Sequence, residues 1–238
     1  MPKILGFNKE RRQNSFQIRN KTATTAEIVL YGSIGESYWD DSVSAKNFSE
    51  ELSKLPKTVN QIDVRVNSPG GDVFDGVTIY NRLKQHSANI TVHIDGLAAS
   101  IASIIALAGD EVIMGEGALY MIHLPWTFSM GDRNDLENTI NRLMDVEEQL
   151  LGIYSRKTGL DRLELKAMLE AETWLDADQS VEMGFVDKKV EESEPIAASA
   201  LDKKWIVRKP KNFLSDTKVI NNGINDLTKK IEGILARK

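Results

Sequence analysis

The sequence predicts an α/β fold. Short β-rich runs alternate with helical periodicity along most of its length, and a small, almost wholly apolar segment lies near the middle. Ala26 to Tyr31 and Ile62 to Val66 are apolar runs bounded by turn-forming residues, which predicts buried or half-buried strands. Between them, Val43 to Leu55 is expected to be helical, with Phe48, Leu52 and Leu55 on one face. After Gly71 the spacing of Val77, Tyr80 and Leu83 predicts a second helix, and Ile90 to Ile94 a further strand. Ala99 to Ala108 is apolar on nearly every face, which suits a buried helix, and Glu111 to Met114 and Ala118 to Ile122 follow as strands. From Asn134 to Tyr154, Leu136, Ile140, Leu143, Val146, Leu150 and Ile153 recur every three or four positions. This predicts a long amphipathic helix whose exposed ends could pack on another subunit. A helix over Leu163 to Glu170 and a strand over Phe185 to Val190 complete the pattern.

A chain of 238 residues, 41% apolar, is long enough for one substantial core with appendages. The expected organisation is an N-terminal arm (1–24), a single folded domain (25–192), a small-residue linker (193–201) and a basic tail (202–238). The tail would carry a short amphipathic helix through Ile224, Leu227, Ile231 and Ile234. The formal charge of −5 conceals an asymmetry, because the tail carries +6 and the body −11. Such a tail is either a basic arm for an acidic partner or a solvated mixed-charge segment, and no nucleic-acid partner is expected. The linker around 195–201 is exposed and small, which is what a processing site needs, and cleavage is expected there. The sequence has no cysteine, which excludes disulfide scaffolds, thiolate metal sites and cysteine nucleophiles. With no signal-like start and no membrane-length apolar run, the expectation is a cytosolic protein.

Three places carry chemistry. Asn67-Ser68-Pro69-Gly70-Gly71 follows a predicted strand; adjacent glycines let backbone amides turn toward a ligand as an oxyanion hole requires, although such a run is by default a tight turn. Asp95-Gly96-Leu97-Ala98-Ala99-Ser100 leads from a strand into the buried helix. There the Ser100 hydroxyl and the Ile101 amide face the same space, unless Ser100 simply caps the helix. Met121-Ile122-His123-Leu124-Pro125 puts a histidine at a strand end in an apolar setting, as a general base or as a hydrogen-bonded core residue. Of the three histidines, His86 falls at the polar end of a helix and His93 on the outer face of a strand, which leaves His123. Their spacing is not that of metal ligands, so no metal and no cofactor are expected. A base needs an orienting acid. Glu172 lies between a helix and an apolar pair that would anchor it, and Asp176 is the reserve, with an N-cap at Ala177 as its structural alternative.

With these residues in view, the chain resembles the Clp protease proteolytic-subunit family, and within it the phage branch of head-maturation, or prohead, proteases. The resemblance rests on Asn67 to Gly71, Gly96 to Ser100, Met121 to Pro125 and Met183-Gly184-Phe185-Val186-Asp187, in family order over about residues 25–190. It implies a ClpP/crotonase-like ββα superhelix, a Ser-His-acid triad and homo-oligomeric rings, single or stacked, that enclose the active sites. Ser100 is similar to the family nucleophile, His123 to its base, and the amides of Gly70 and Ile101 to its oxyanion hole. The helix around 134–157 is similar to the element through which rings meet. The family's triad aspartate falls at Glu172, in a Glu-Thr-Trp pattern like that of the phage branch.

The first function expected is therefore a serine endopeptidase trimming capsid or scaffold proteins. A second keeps the chemistry but makes the chain a degradative subunit served by an ATP-driven unfoldase; the N-terminus lacks a recognisable axial-loop segment for such a partner. No G-x-x-x-x-G-K-[ST] loop occurs, so any ATP hydrolysis would be the partner's. Two rivals are a crotonase-class acyl-thioester enzyme, which needs no serine-histidine pair, and an assembly protein whose site has decayed. A membrane signal peptidase with a serine-lysine pair fits less well, since a membrane segment is lacking.

Overall fold

The computed structural model describes residues 16–36 and 42–190. The linker at 193–201, the basic tail from 202 with its short amphipathic helix, and residues 1–15 of the arm lie outside the described residues. The framework is an eight-stranded mixed sheet. Its main path runs β1 (Phe16–Asn20), β2 (Thr25–Tyr31), β5 (Gln61–Ser68), β6 (Asn89–Ala99), β7 (Glu111–Met114) and β10 (Lys188–Lys189). From β2 onward these neighbours are parallel, and only β1 is antiparallel to β2. Off this path, β8 (Leu119–Ile122) pairs with β6 and with β9 (Thr173–Leu175), while β3 (Ser33–Ile34) and β4 (Ser42–Val43) form a separate parallel ribbon.

Strand β5 shows why the sheet forms here. Ile62, Val64, Val66 and Ser68 alternate inward with Asp63, Arg65 and Asn67, which stay half-exposed on the other face. On that outer face Arg65 Nε donates to Asp95 Oδ2 at 2.8 Å and Tyr31 OH donates to the same oxygen at 2.7 Å. These bonds tie β2, β5 and β6 together just below the strand ends that matter for chemistry. Helices α1 (Ala45–Ser53), α2 (Val73–Lys84), α3 (Ile101–Ala106), α4 (Arg133–Thr158), α5 (Arg162–Glu170) and α6 (Ala177–Glu182) complete the fold.

Three departures from the sequence expectation have local causes. β1 lies within the stretch expected to be an arm, because Phe16 and Ile18 pack against the core while the strand completes the ladder with β2. The strand expected over Phe185 to Val190 contracts to Lys188–Lys189, since Phe185 turns inward and stacks at 5.3 Å from Tyr120 and 5.9 Å from Tyr154. The buried helix begins at Ile101 rather than Ala99, because β6 runs through Ala99 and Ser100 adopts a backbone that neither strand nor helix allows.

α4 opens on a capping box, in which Asp132 accepts from Asn134 N and Asp135 N, and ends at Gly159 in the left-handed conformation. Its apolar stripe is as periodic as the sequence implies, yet only Leu150, Leu151, Ile153 and Tyr154 are buried. Leu136, Ile140 and Met144 on its first half are exposed, as are Trp126, Phe128 and Met130 just before it.

α2 packs onto α3 through Gly76, where an added Cβ would come 2.2 Å from Ile101 Cγ1. Gly76→Ala gains about 1 kcal/mol of helix propensity. Overpacking a core site costs about 1–3 kcal/mol, so the variant is expected to be less stable by up to about 2 kcal/mol. A urea midpoint lowered at unchanged slope would show it.

Candidate active site

The three chemical motifs meet because they follow the C-terminal ends of the parallel strands β5, β6 and β8, the side on which open α/β sheets place their ligands. β6 pairs with β8 through Leu97↔Leu119, Ala98↔Tyr120 and Ala99↔Met121, and Ser100 N donates to Met121 O at 2.9 Å. Ser100 and His123 therefore leave adjacent strands side by side. Ser100 Oγ lies 2.8 Å from His123 Nε2. The hydroxyl makes no capping bond to α3, although Ser100 occupies the N-cap position. It is committed to the imidazole instead.

The backbone of Ser100 is unusual as well, with φ 55° and ψ −129°. Among the described residues, only Ser100 and Glu172 combine a side chain with positive φ. Such strain costs about 1–3 kcal/mol per residue and collects at functional sites. Here it turns the serine side chain off the strand line while Ile101 opens the helix.

The glycine loop is strapped in place from the other side. Ile34 N donates to Gly70 O and Asp72 N to Ile34 O, each at 2.9 Å. At Gly71 a Cβ would lie 2.0 Å from Ile34 O; at Gly70 one would lie 2.7 Å from both Ala99 O and Ser100 Cβ and 3.1 Å from Ile101 N. Only glycine permits this approach, which sets Gly70 against the backbone of Ser100 and Ile101. The Gly70 N–H is already engaged, donating to the buried Ser68 Oγ at 3.1 Å. It can serve an oxyanion only by sharing or releasing that bond.

The acid is positioned by strand register. β8 and β9 pair antiparallel as Tyr120↔Leu175, Met121↔Trp174 and Ile122↔Thr173, and His123 and Glu172 are the residues next to the last pair, at the same end of the ladder. Leu124 N donates to Leu169 O and Glu172 N to the same carbonyl, both at 3.2 Å, closing the turn. The Glu172 carboxylate accepts from Trp174 Nε1 at 3.1 Å and acts on His123 through its charge, without a hydrogen bond to the ring. Asp176 is occupied elsewhere. It caps α6 in a box with Gln179, accepting from Gln179 N at 2.9 Å while its own amide donates to Gln179 Oε1 at 3.1 Å. The structure thus brings together Ser100, His123, Gly70 and Ile101, with Glu172 beside them, and leaves Asp176 in a structural role.

Burial holds the His123 pKa below the ordinary imidazole value, and the Glu172 charge pulls it part of the way back. The ring is neutral at pH 7 and free to accept a proton. The other two histidines lie elsewhere: His86 Nδ1 accepts from Ala88 N, and His93 pairs in register with Arg65 across β5 and β6. The fourth motif is a brace, in which Phe185 fills the core and Asp187 accepts from Val112 N and Lys157 Nζ, each at 2.7 Å. Among the described residues no group of three or more His, Asp or Glu is placed to hold a metal ion, and no helix is long and apolar enough to cross a membrane. Trp174 and Ser68, which hold the acid and the glycine amide, were not singled out in the sequence. The signal for Trp174 was its position two residues after Glu172, in the Glu-Thr-Trp pattern.

A serine hydroxyl bonded to a neutral, half-buried imidazole beside close-packed backbone amides has the parts of a serine-type hydrolase. The Clp protease family model matches residues 10–193. The ATP-dependent Clp protease proteolytic subunit 1 of Protochlamydia amoebophila is 29% identical over 79% of this chain and 95% of its own. The protein of the same name from Chlamydia muridarum is 26% identical over 63% and 83%. A ClpP1 point mutant from Listeria monocytogenes superposes with a TM-score of 0.61, covering 72% of this chain and 93% of its own at 23% identity. The chain belongs to the Clp protease family and has the ClpP-like α/β fold.

For an imidazole of lowered pKa in the role of general base, kcat/KM for peptide cleavage is expected to be flat near neutrality. It should fall only on acidification below the usual imidazole value of 6.5. Glu172→Gln removes the charge that raises this pKa, so the acid limb moves further down while the plateau drops about 10- to 100-fold. That is less than the ~10⁴-fold of a triad whose acid bonds the ring directly. Asp176→Ala is expected to cost about 1 kcal/mol of stability through the lost cap and to leave the rate within twofold. A pH–rate series with thermal melts reads all three outcomes.

Proposed function

We propose that the chain is a serine endopeptidase acting on protein substrates, with Ser100 as nucleophile, His123 as general base, Glu172 as the supporting acid and the Gly70 and Ile101 amides as oxyanion donors. The observation that carries this reading is the 2.8 Å contact between Ser100 Oγ and His123 Nε2, made by a hydroxyl that has no capping duty. In the reaction His123 Nε2 takes the Ser100 proton as Oγ attacks the scissile carbonyl. The developing oxyanion faces the Ile101 amide and the Gly70 amide, which turns from Ser68 Oγ. His123 then returns the proton to the leaving amine, and a water repeats the sequence to release the acyl group. Glu172 stabilises the imidazolium that forms in between.

The narrower role is maturation of phage capsid or scaffold proteins, and the Glu172-Thr173-Trp174 pattern of that branch supports it. The curated relatives are named as ATP-dependent proteolytic subunits, which favours a second reading, a degradative subunit fed by an unfoldase. In either role the chain assembles into homo-oligomeric rings. The exposed apolar run of Trp126, Phe128, Met130, Leu136, Ile140 and Met144 supports this, because a patch of that kind marks an interface.

Ser100→Ala is expected to abolish cleavage of a co-expressed capsid precursor, and labelling by a fluorophosphonate, while leaving assembly intact. Unchanged cleavage by the variant would sink the peptidase reading. An unfoldase retained on the protein only with ATP, with the capsid precursor left uncut, would decide for the degradative role.

A further inference from the structure

We infer that Ser103, backed by Tyr154, is a positioning residue that aims the Ile101 amide at the reacting carbonyl oxygen; this rests on the peptidase reading above. The Ser100 carbonyl and the Ile101 N–H belong to one planar trans peptide unit and point in opposite directions. Whatever holds that oxygen therefore fixes where the amide proton points. Ser100 O accepts from Ser103 N at 3.0 Å and from the Ser103 hydroxyl. A carbonyl only accepts, so Ser103 gives its single proton there. Tyr154 OH must then be the donor across its 2.7 Å contact with Ser103 Oγ. From the far side Tyr120 OH donates to Ser103 O at 2.7 Å.

The chain of bonds runs one way, from α4 through Tyr154 and Ser103 to the nucleophile's own peptide. Ser103 and Tyr120 are fully buried and Tyr154 nearly so, which leaves no room for water to take over a lost bond. Burial also pushes the Tyr154 phenol pKa up, keeping it a donor at every working pH. The need for such a hold follows from the Ser100 backbone. At φ 55° and ψ −129° it sits in no intrinsic energy well, so its peptide plane is set by its neighbours. Two hydrogen bonds on the carbonyl, one with its rotor locked by a tyrosine, supply that setting. The residue touches neither substrate nor imidazole and acts only through the peptide it holds.

Removing an oxyanion donor outright costs about 10²- to 10³-fold in kcat, and misaiming one should cost less. Ser103→Ala is expected to lower kcat for a fluorogenic peptide about tenfold with KM within twofold. A peptide boronate, whose tetrahedral adduct places an oxygen where the oxyanion forms, should bind it about tenfold more weakly. Tyr154→Phe, which leaves the Ser103 bond but frees its rotor, should show the same split at about threefold. Thermal melts and sizing accompany both, and if Ser103→Ala does not fold, Tyr154→Phe decides. Wild-type kcat and boronate affinity in the folded variants, within twofold, would overturn this inference alone, as would a rise in KM at constant kcat. A wild-type protein that neither cleaves peptide nor takes a fluorophosphonate on Ser100 would overturn the peptidase reading and this inference with it.

Discussion

The site depends on the way β6 divides its length between two partners. Through Thr91 to Ile94 it pairs with β7, and through Leu97 to Ala99 it pairs with β8. Asp95, gripped by Arg65 and Tyr31, marks the point of change. A strand confined to one neighbour would end beside β7. By switching to β8, β6 delivers Ser100 next to His123, and because β5 is parallel to it on the other side, the glycine loop arrives at the same edge. Three segments distant in sequence are thereby placed within hydrogen-bond range by backbone ladders alone.

Once delivered, the chemistry is held under strain. Ser100 and Glu172 both occupy the left-handed region, a conformation stable only when surroundings over-determine it. For Ser100 those surroundings are the Met121 carbonyl accepting its amide, Gly70 packed against its Cβ and the Ser103 hydroxyl on its carbonyl. For Glu172 they are the Leu169 carbonyl and the Trp174 indole. The acid thus has a partner of its own and reaches the imidazole electrostatically. The result is an imidazole kept neutral by burial and moderated by one nearby charge.

α4 serves two environments with one pattern. Its last turns press Leu150, Leu151, Ile153 and Tyr154 into the core beside α3, and its first half extends the same stripe into solvent. Helical periodicity records that a face is apolar; it does not record what covers the face. The same limit applied at Phe185, where a run fit for a strand turns inward to pack its ring against Tyr120 and Tyr154.

The sequence by itself determined the alternation of strands and helices and the motifs at the strand ends, and it singled out His123 among three histidines as the candidate base. Each of these is written in local pattern: period, turn chemistry and the small residues before Ser100. It left Ser100 as either cap or nucleophile, and Glu172 and Asp176 as rivals. Tertiary structure decided where each of these side chains goes, because that turns on which backbone lies across the gap. The Ser100 hydroxyl meets the imidazole that follows β8 instead of its own helix, and Asp176 caps α6 while Glu172 and His123 both adjoin the last pair of the β8–β9 ladder. The antiparallel β9, three residues long, and the Tyr154–Ser103 bond across 51 positions of sequence are likewise products of the fold. Pairings between distant segments leave no periodic trace in either segment alone.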